Sequence, residues 1–359
     1  MQAVRAVNRS DKFELGNVPM PAVGAHDVLV KIEVSSITPG MRTLVKMGLC
    51  ELPSTLGHEG AGTIVAVGRD VPGISIGDRV RVRPILSCLT CPRCTSGREH
   101  MCVEGACIGF ARFGKKTPLY DQYPDGCLAE YVRLPYSFID LLPPQVSFDA
   151  AAKVHDVATA LQLLNLANIP DAATVLITAP TGTIGSLILR LATRFPIAKI
   201  ILVGRNQQRL EEAAKITNLE TELLVLPSSL EPDSQSVTAP LMAMASKGID
   251  IIIDLLKVPQ YTAHIARALR VGGTFVHLGG SPTPFPTPLI VIMQMCWTIT
   301  GCRTNGTLET KQVLQWLADG SLVIDDLITH RFKFSQVLAA FDVVEERKEP
   351  MWLNVVELA

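Results

Sequence analysis

Thr174-Val-Leu-Ile-Thr178-Ala-Pro180-Thr-Gly182-Thr183-Ile184-Gly185 runs from a short apolar stretch, through a turn with two glycines, into a helical pattern that lasts to Arg194. A strand, a Gly-containing turn and a helix in that order is the context that gives a G-x-G-x-x-G fingerprint its meaning. In that fingerprint the second glycine lets backbone approach a pyrophosphate. The third lets the helix pack tightly on the strand, and the helix N-terminus faces the phosphate. Gly182 and Gly185 fill those two places, with Thr183 and Ile184 between them. Pro180 stands where the first glycine belongs, so the tight turn must be made differently. An ordinary strand-to-helix loop can carry two glycines; the position in the chain favours the dinucleotide reading.

Working outward, Lys199–Val203, Gly248–Asp254 and Gly273–Gly279 read as further strands, with a polar helix at Arg209–Thr217. Strands alternating with helices predict a parallel, doubly wound sheet, and near-continuous apolar strands fit burial on both faces. At the end of the second strand an NAD site places an acid for the ribose 2′-hydroxyl. This chain has Gly204-Arg205, then Arg209. The acid is gone and two guanidiniums suited to a phosphate are present, which points to NADP(H). Solvated helix-start arginines are the plainer explanation, but they do not account for the missing acid.

Before about residue 150 the chain changes character. Val28–Val34, Gly62–Gly68 and Gly77–Arg83 are short β-rich runs punctuated by Gly and Pro, which predicts a barrel-like β domain. After about 303 come a helix at Leu308–Leu317 and mixed strand and helix signals. The run Ser281–Pro288 is too rich in proline for helix or central strand and reads as a rigid loop.

Length and composition bound the function. The 359 residues are 48% hydrophobic and 19% charged, with a net charge of −1, which fits a two-domain globular protein. No basic face for nucleic acid is implied, and no membrane segment: the longest apolar stretch, near Leu289–Ile299, is broken by Gln294. The N-terminus enters strand-like alternation directly, so a cytoplasmic location is expected. Cys88, Cys91, Cys94 and Cys102 are spaced to close a tetrahedral thiolate site on one loop, as a structural zinc requires. Cys50, Cys107, Cys127, Cys296 and Cys302 are scattered and are expected to be reduced.

Taken together the chain resembles the zinc-type medium-chain dehydrogenase/reductase family, the alcohol dehydrogenase superfamily. Gly57-His58-Glu59-Gly60 looks like its G-H-E segment, and the cysteine quartet, about residues 84–106, matches its structural-zinc lobe. Asp125-Gly126-Cys127-Leu-Ala-Glu130-Tyr131 and Val271–Gly273 with Leu278-Gly279 match further segments; Cys127 replaces a family glycine. The resemblance implies an α/β architecture. A GroES-like β-rich catalytic domain (1–156 and 302–359) would hold a Rossmann NADP(H) domain (157–301). It also implies a small-molecule substrate in the cleft between them and a homodimer or homotetramer joined near Trp297–Gly301. Thr159 and Leu278 would lie with the cofactor residues.

The same resemblance exposes a departure. The first catalytic-zinc ligand of the family is a Cys, replaced here by Thr38. Gly40 replaces the relay hydroxyl and Met41 the supporting acid, while Thr43 stands where some members have a relay histidine. His58 and Glu59 remain, and His155 aligns with the third ligand, followed by Asp156. Two readings follow. Either a second zinc persists on His58, Glu59 and His155, with alcohol or aldehyde chemistry, or the metal is lost and His155, Asp156, Glu59 or a hydroxyl such as Thr38 orients substrate or donates a proton. The joint loss of ligand, relay and supporting acid weighs toward the second. The expectation is an NADPH-dependent reductase acting on an activated C=C or C=N bond, or on a carbonyl, of a small apolar substrate. A non-redox nucleotide-binding protein, cyclase or isomerase on the same fold is the alternative from another class. Phe110, Phe113, Tyr120 and Tyr123 either line an apolar pocket or pack.

Overall fold

Val28, Val30 and Ile32 alternate along one strand and share a buried core with Ile64, Val80, Val82 and Val132. Period-two burial of branched residues is what a half-buried sheet selects, each such side chain contributing about 1.5–3 kcal/mol. The computed structural model describes residues 1–227, 235–257, 259–280, 284–285 and 287–358. The chain divides into two units, Met1–Ala158 with Asn305–Ala359, and Thr159–Thr304. The sequence boundaries at 156 and 302 differ from these by two and three residues.

In the first unit, β1 spans Gln2–Ala6, β2 Asp27–Ser35, β3 Gly60–Val67, β4 Arg79–Val82, β5 Tyr131–Pro135 and β6 Ile139–Leu141. The main sheet runs β6-β4-β3-β2, then the strands Leu353–Glu357 and Ile328–Lys333, with β5 also paired to β2. Helices α1 (Met41–Lys46) and α2 (Pro92–Thr95) are short, and α3 (Phe148–Ala167) is long.

Among the described residues the second unit has six strands: β7 (Ala173–Thr178), β8 (Ile197–Gly204), β9 (Glu220–Val225), β10 (Ile249–Asp254), β11 (Leu269–His277) and β12 (Thr298–Gly301). All five pairings are parallel, in the order β9-β8-β7-β10-β11-β12. The order reverses between β7 and β10, the switch point of a doubly wound sheet. Leu176, Ile252 and Phe275 bury one face, while Val175, Ile177, Ile251 and Ile253 are buried on the other. α4 (Thr183–Leu191) follows β7, and α5 (Gln207–Ala214) follows β8. The proposed rigid loop Ser281–Pro288 includes 281–283 and 286, which lie outside the described residues. All nine cysteines are free. Among the described residues no helix is long and apolar enough to cross a membrane.

Candidate functional site

His58 and Glu59 immediately precede β3, Ser35 ends β2 with Ser36 next, and α3 supplies Lys153, His155 and Asp156. Lys153 and Asp156 are one helical turn apart, so both face the same neighbours. The Lys153 Nζ lies 2.6 Å from Glu59 Oε2 and 2.6 Å from Asp156 Oδ2, and donates to Ser36 Oγ at 3.2 Å. Ser36 Oγ donates to Glu59 Oε2 at 2.5 Å, and the Asp156 N–H reaches Glu59 Oε1 at 3.3 Å. Both oxygens of Glu59 are therefore engaged by this chain's own donors.

Burial alone would push the Glu59 carboxyl up, but the Lys153 ammonium, His58 and the Ser36 hydrogen bond together hold it below its ordinary value. Burial likewise works against the Lys153 charge. Asp156 and Glu59 outweigh it and hold the ammonium above its ordinary value. The result is a largely buried ion network with a lysine at its centre, which sequence reasoning missed. The available signal was a lone charge in Ala150-Ala-Ala-Lys153-Val-His155, with an acid three residues on.

The two histidines are neighbours. Their ring centroids are 5.2 Å apart at an interplanar angle of 82°, and Phe110 packs on His58 at 4.5 Å. Burial pushes the His58 imidazole down and the His155 imidazole well down, so both favour the neutral form near pH 7. His58 Nδ1 is buried without a hydrogen-bond partner among the described residues. A cavity of about 20 Å³, bordered by His155, Arg81, Glu99 and Asn305, has room for one water. Arg81, buried beside this cavity, pairs with Asp140 at 3.2 Å.

The structure does not join the threonines to this network. Among the described residues neither the Thr38 nor the Thr43 hydroxyl bonds to it; Thr43 is exposed on α1, and Met41 is a core residue. Tyr120 is fully buried core. Cys127 fills space beside the backbone: a Cβ on Gly60 would come within 2.6 Å of its Cβ, so the thiol packs where only glycine fits opposite.

The cysteine quartet is a different kind of site. All four sulfurs lie within 4.8 Å of one another, and Cys91 caps α2 while Cys94 lies inside it. Backbone donors, that of Thr90 first, hold the Cys88 thiol down to about 6, while burial pushes Cys94 up to about 12. Four converging sulfurs fit a tetrahedral zinc, which needs all of them as thiolates and leaves no open position. Among the described residues this is the only group of three or more candidate ligands that converges so closely. His58, Glu59 and His155 form no group that converges so closely, and the Lys153 ammonium lies against Glu59.

In the second unit the turn after β7 is made by Ala179, which has φ +47°. The Ala179 N–H donates to Val203 O at 2.9 Å, and the Gly182 N–H donates back to Ala179 O at 3.1 Å. The left-handed alanine thus does the work of the missing first glycine. Gly182 caps α4, and a Cβ on Gly185 would come 2.6 Å from Pro180 Cα, so helix and turn are in close contact. Thr183 and Ile184 begin the helix, half-buried. A tight turn leading straight into a helix N-terminus is a geometry that can hold a diphosphate. Gly204 ends β8, Arg205 is exposed just beyond it, and Asn206 caps α5 by accepting from the Arg209 N–H at 3.0 Å. Among the described residues Arg205 has no acidic partner. Leu278 N–H donates to Asp254 O at 3.0 Å, and the buried Thr159 hydroxyl lies 3.3 Å from that of Thr304.

Comparison with known proteins gives a consistent picture. The profile described as alcohol dehydrogenase GroES-like domain matches residues 24–144, and that described as zinc-binding dehydrogenase matches 183–319. D-xylulose reductase A of Aspergillus oryzae is 28% identical over 343 residues, covering 94% of this chain and 91% of the relative. The probable D-xylulose reductase A of Emericella nidulans is 28% identical over 344 residues, with the same coverage. Alcohol dehydrogenase TADH from Thermus sp. ATN1 has the same fold, with a TM-score of 0.84 over 100% of both chains at 23% identity. A zinc-binding dehydrogenase structure from Sinorhizobium meliloti 1021, solved bound to NADP, superposes with a TM-score of 0.82 at 26% identity over 99% of each chain.

Proposed function

The chain belongs to the zinc-type medium-chain dehydrogenase/reductase family, and from that premise we propose that it is an NADP(H)-dependent reductase whose second metal has been replaced by the Lys153 ammonium. The observation that carries this reading is the 2.6 Å contact of buried Lys153 with Glu59, which takes up the carboxylate that a metal would need. Cys88, Cys91, Cys94 and Cys102 would hold one zinc with a structural role.

A bound nicotinamide supplies or accepts hydride. Gly182, Thr183, Ile184 and Gly185 hold the diphosphate, and Arg205 with Arg209 selects the 2′-phosphate. In the first unit, neutral His58 and His155 are the groups able to hydrogen-bond a substrate or move a proton. The Lys153–Glu59–Asp156 network fixes α3 and the chain before β3, and so fixes both rings. Neutral imidazoles stabilise an enolate or amine better than a full alkoxide, which favours an activated C=C or C=N bond as the hydride acceptor. A carbonyl of a small polyol is the second reading, favoured by the relatives named D-xylulose reductase.

The test is consumption of NADPH and NADH against a panel of enones, iminium ions, aldehydes and ketoses. The proposal expects an enone or iminium ion to be reduced, with NADPH preferred. Turnover confined to ketoses and alcohols, and raised by added zinc, would overturn it in favour of metal chemistry.

A further inference from the structure

Thr178, Asp254 and His277 are the last residues of β7, β10 and β11. They form a bonded line along the carboxyl edge of the parallel sheet. Thr178 Oγ1 donates to Asp254 Oδ1 at 2.8 Å, and His277 Nδ1 lies 2.9 Å from Asp254 Oδ2. The strand register sets Asp254 directly beside His277. The Thr178–Asp254 bond bridges β7 and β10, the switch point outside which doubly wound sheets hold their ligands.

The partners assign the imidazole's protons. A carboxylate only accepts, so Nδ1 donates to Asp254. The Gly280 N–H donates to Nε2 at 3.1 Å, so Nε2 carries a lone pair. Asp254 and Thr178 are closed off at 1% and 0% exposure, whereas the His277 side chain is 30% exposed. The imidazole is thus the member of the line that solvent, or a ligand, can reach. Tying strand ends together does not need this arrangement, because the ladder already joins them. A buried carboxylate is costly where an amide or hydroxyl would serve. What the carboxylate adds is a fixed ring orientation and a stronger acceptor at Nε2.

The place of the line selects the ligand group. Gly182–Gly185 follow β7, and Arg205 follows β8 on one side of it; β10 and β11 lie on the other side. A dinucleotide with its diphosphate at β7 and its 2′-phosphate at β8 must carry its nicotinamide riboside toward β10 and β11. We propose that His277 Nε2 accepts a hydrogen bond from that riboside half, exchanging the Gly280 N–H for a carboxamide or ribose donor, with Asp254 and Thr178 as positioning residues. The inference rests on the dinucleotide reading of this unit.

The test is binding of NADPH and of adenosine 2′,5′-bisphosphate, which lacks the riboside, to the full chain by calorimetry. His277→Leu is expected to weaken NADPH about tenfold, the scale of one lost hydrogen bond, and to leave the bisphosphate within about twofold. Equal weakening of both ligands would mean a merely structural line and would overturn the proposal, as would no weakening of either. His277→Phe, which also lacks an acceptor but keeps a flat ring, gives the same comparison should the leucine variant fail to fold. Arg205→Ala separates the two readings, since it should weaken both ligands. If it weakens neither while His277→Leu stays selective, the 2′-phosphate assignment fails and His277 stands. A wild-type chain that binds neither NADPH nor NADH would remove the cofactor reading, and this inference with it.

Discussion

Lys153 has 2% of its side chain exposed and touches two carboxylates at 2.6 Å each. Removing one partner of a buried pair strands the other, at a cost of about 3–5 kcal/mol, so Lys153→Met should lower stability by that order in denaturant titrations. Lys153→Arg should recover part of it. The pH dependence has a defined sign. Glu59 is depressed, so its contribution is present above its ordinary value of 4.5 and is lost as pH falls through the folded value. Lys153 is raised, so its contribution is present below its ordinary value of 10.5 and is lost only as pH rises through the folded value. Between those limits the pair contributes fully. In Lys153→Met the desolvated Glu59 carboxyl should move up. The stability gap between wild type and variant should then be smaller at about pH 4 than at about pH 8. A gap independent of pH would contradict the ion-network account. On the cofactor side, Arg205→Ala should weaken NADPH at least about tenfold more than NADH, measured by fluorescence titration. Equal effects would remove the 2′-phosphate assignment.

The strand–turn–helix at 173–191 shows what an element reveals in sequence and what it hides. An apolar run followed by Gly182 and Gly185 was enough to place β7 and α4. The residue that makes the turn was not legible, because an alanine at φ +47° carries no mark in composition. That strain predicts that Ala179→Gly raises stability by up to about 1 kcal/mol, while Gly185→Ala, with a Cβ 2.6 Å from Pro180 Cα, lowers it and weakens the nucleotide. Thermal unfolding with and without NADPH reads both. The helix expected at Arg209–Thr217 lies at Gln207–Ala214 because the Asn206 side chain caps it earlier. Strands were better placed: Val28–Val34 falls within Asp27–Ser35, since a run rich in β-branched residues is written directly in the residue order. Lys153 was invisible for the opposite reason. Its partner Glu59 lies 94 residues away, and no local pattern announces a pairing made by tertiary packing.

At the scale of the whole molecule, the two units divide the work. Thr159–Thr304 builds a parallel sheet whose carboxyl edge carries the glycine cradle, Arg205 and the His277 line. Met1–Ala158 with Asn305–Ala359 carries two centres of opposite character, four converging sulfurs and a carboxylate network filled by an ammonium. The four sulfurs converge on one another, while the carboxylates are paired with the Lys153 ammonium. Zinc per chain in the full-length protein, by elemental analysis beside Cys94→Ser, tests that division most directly. The account predicts one zinc in the wild type, lost in Cys94→Ser. Two zincs in the wild type, with one retained in the variant, would contradict it and return a metal to His58 and His155.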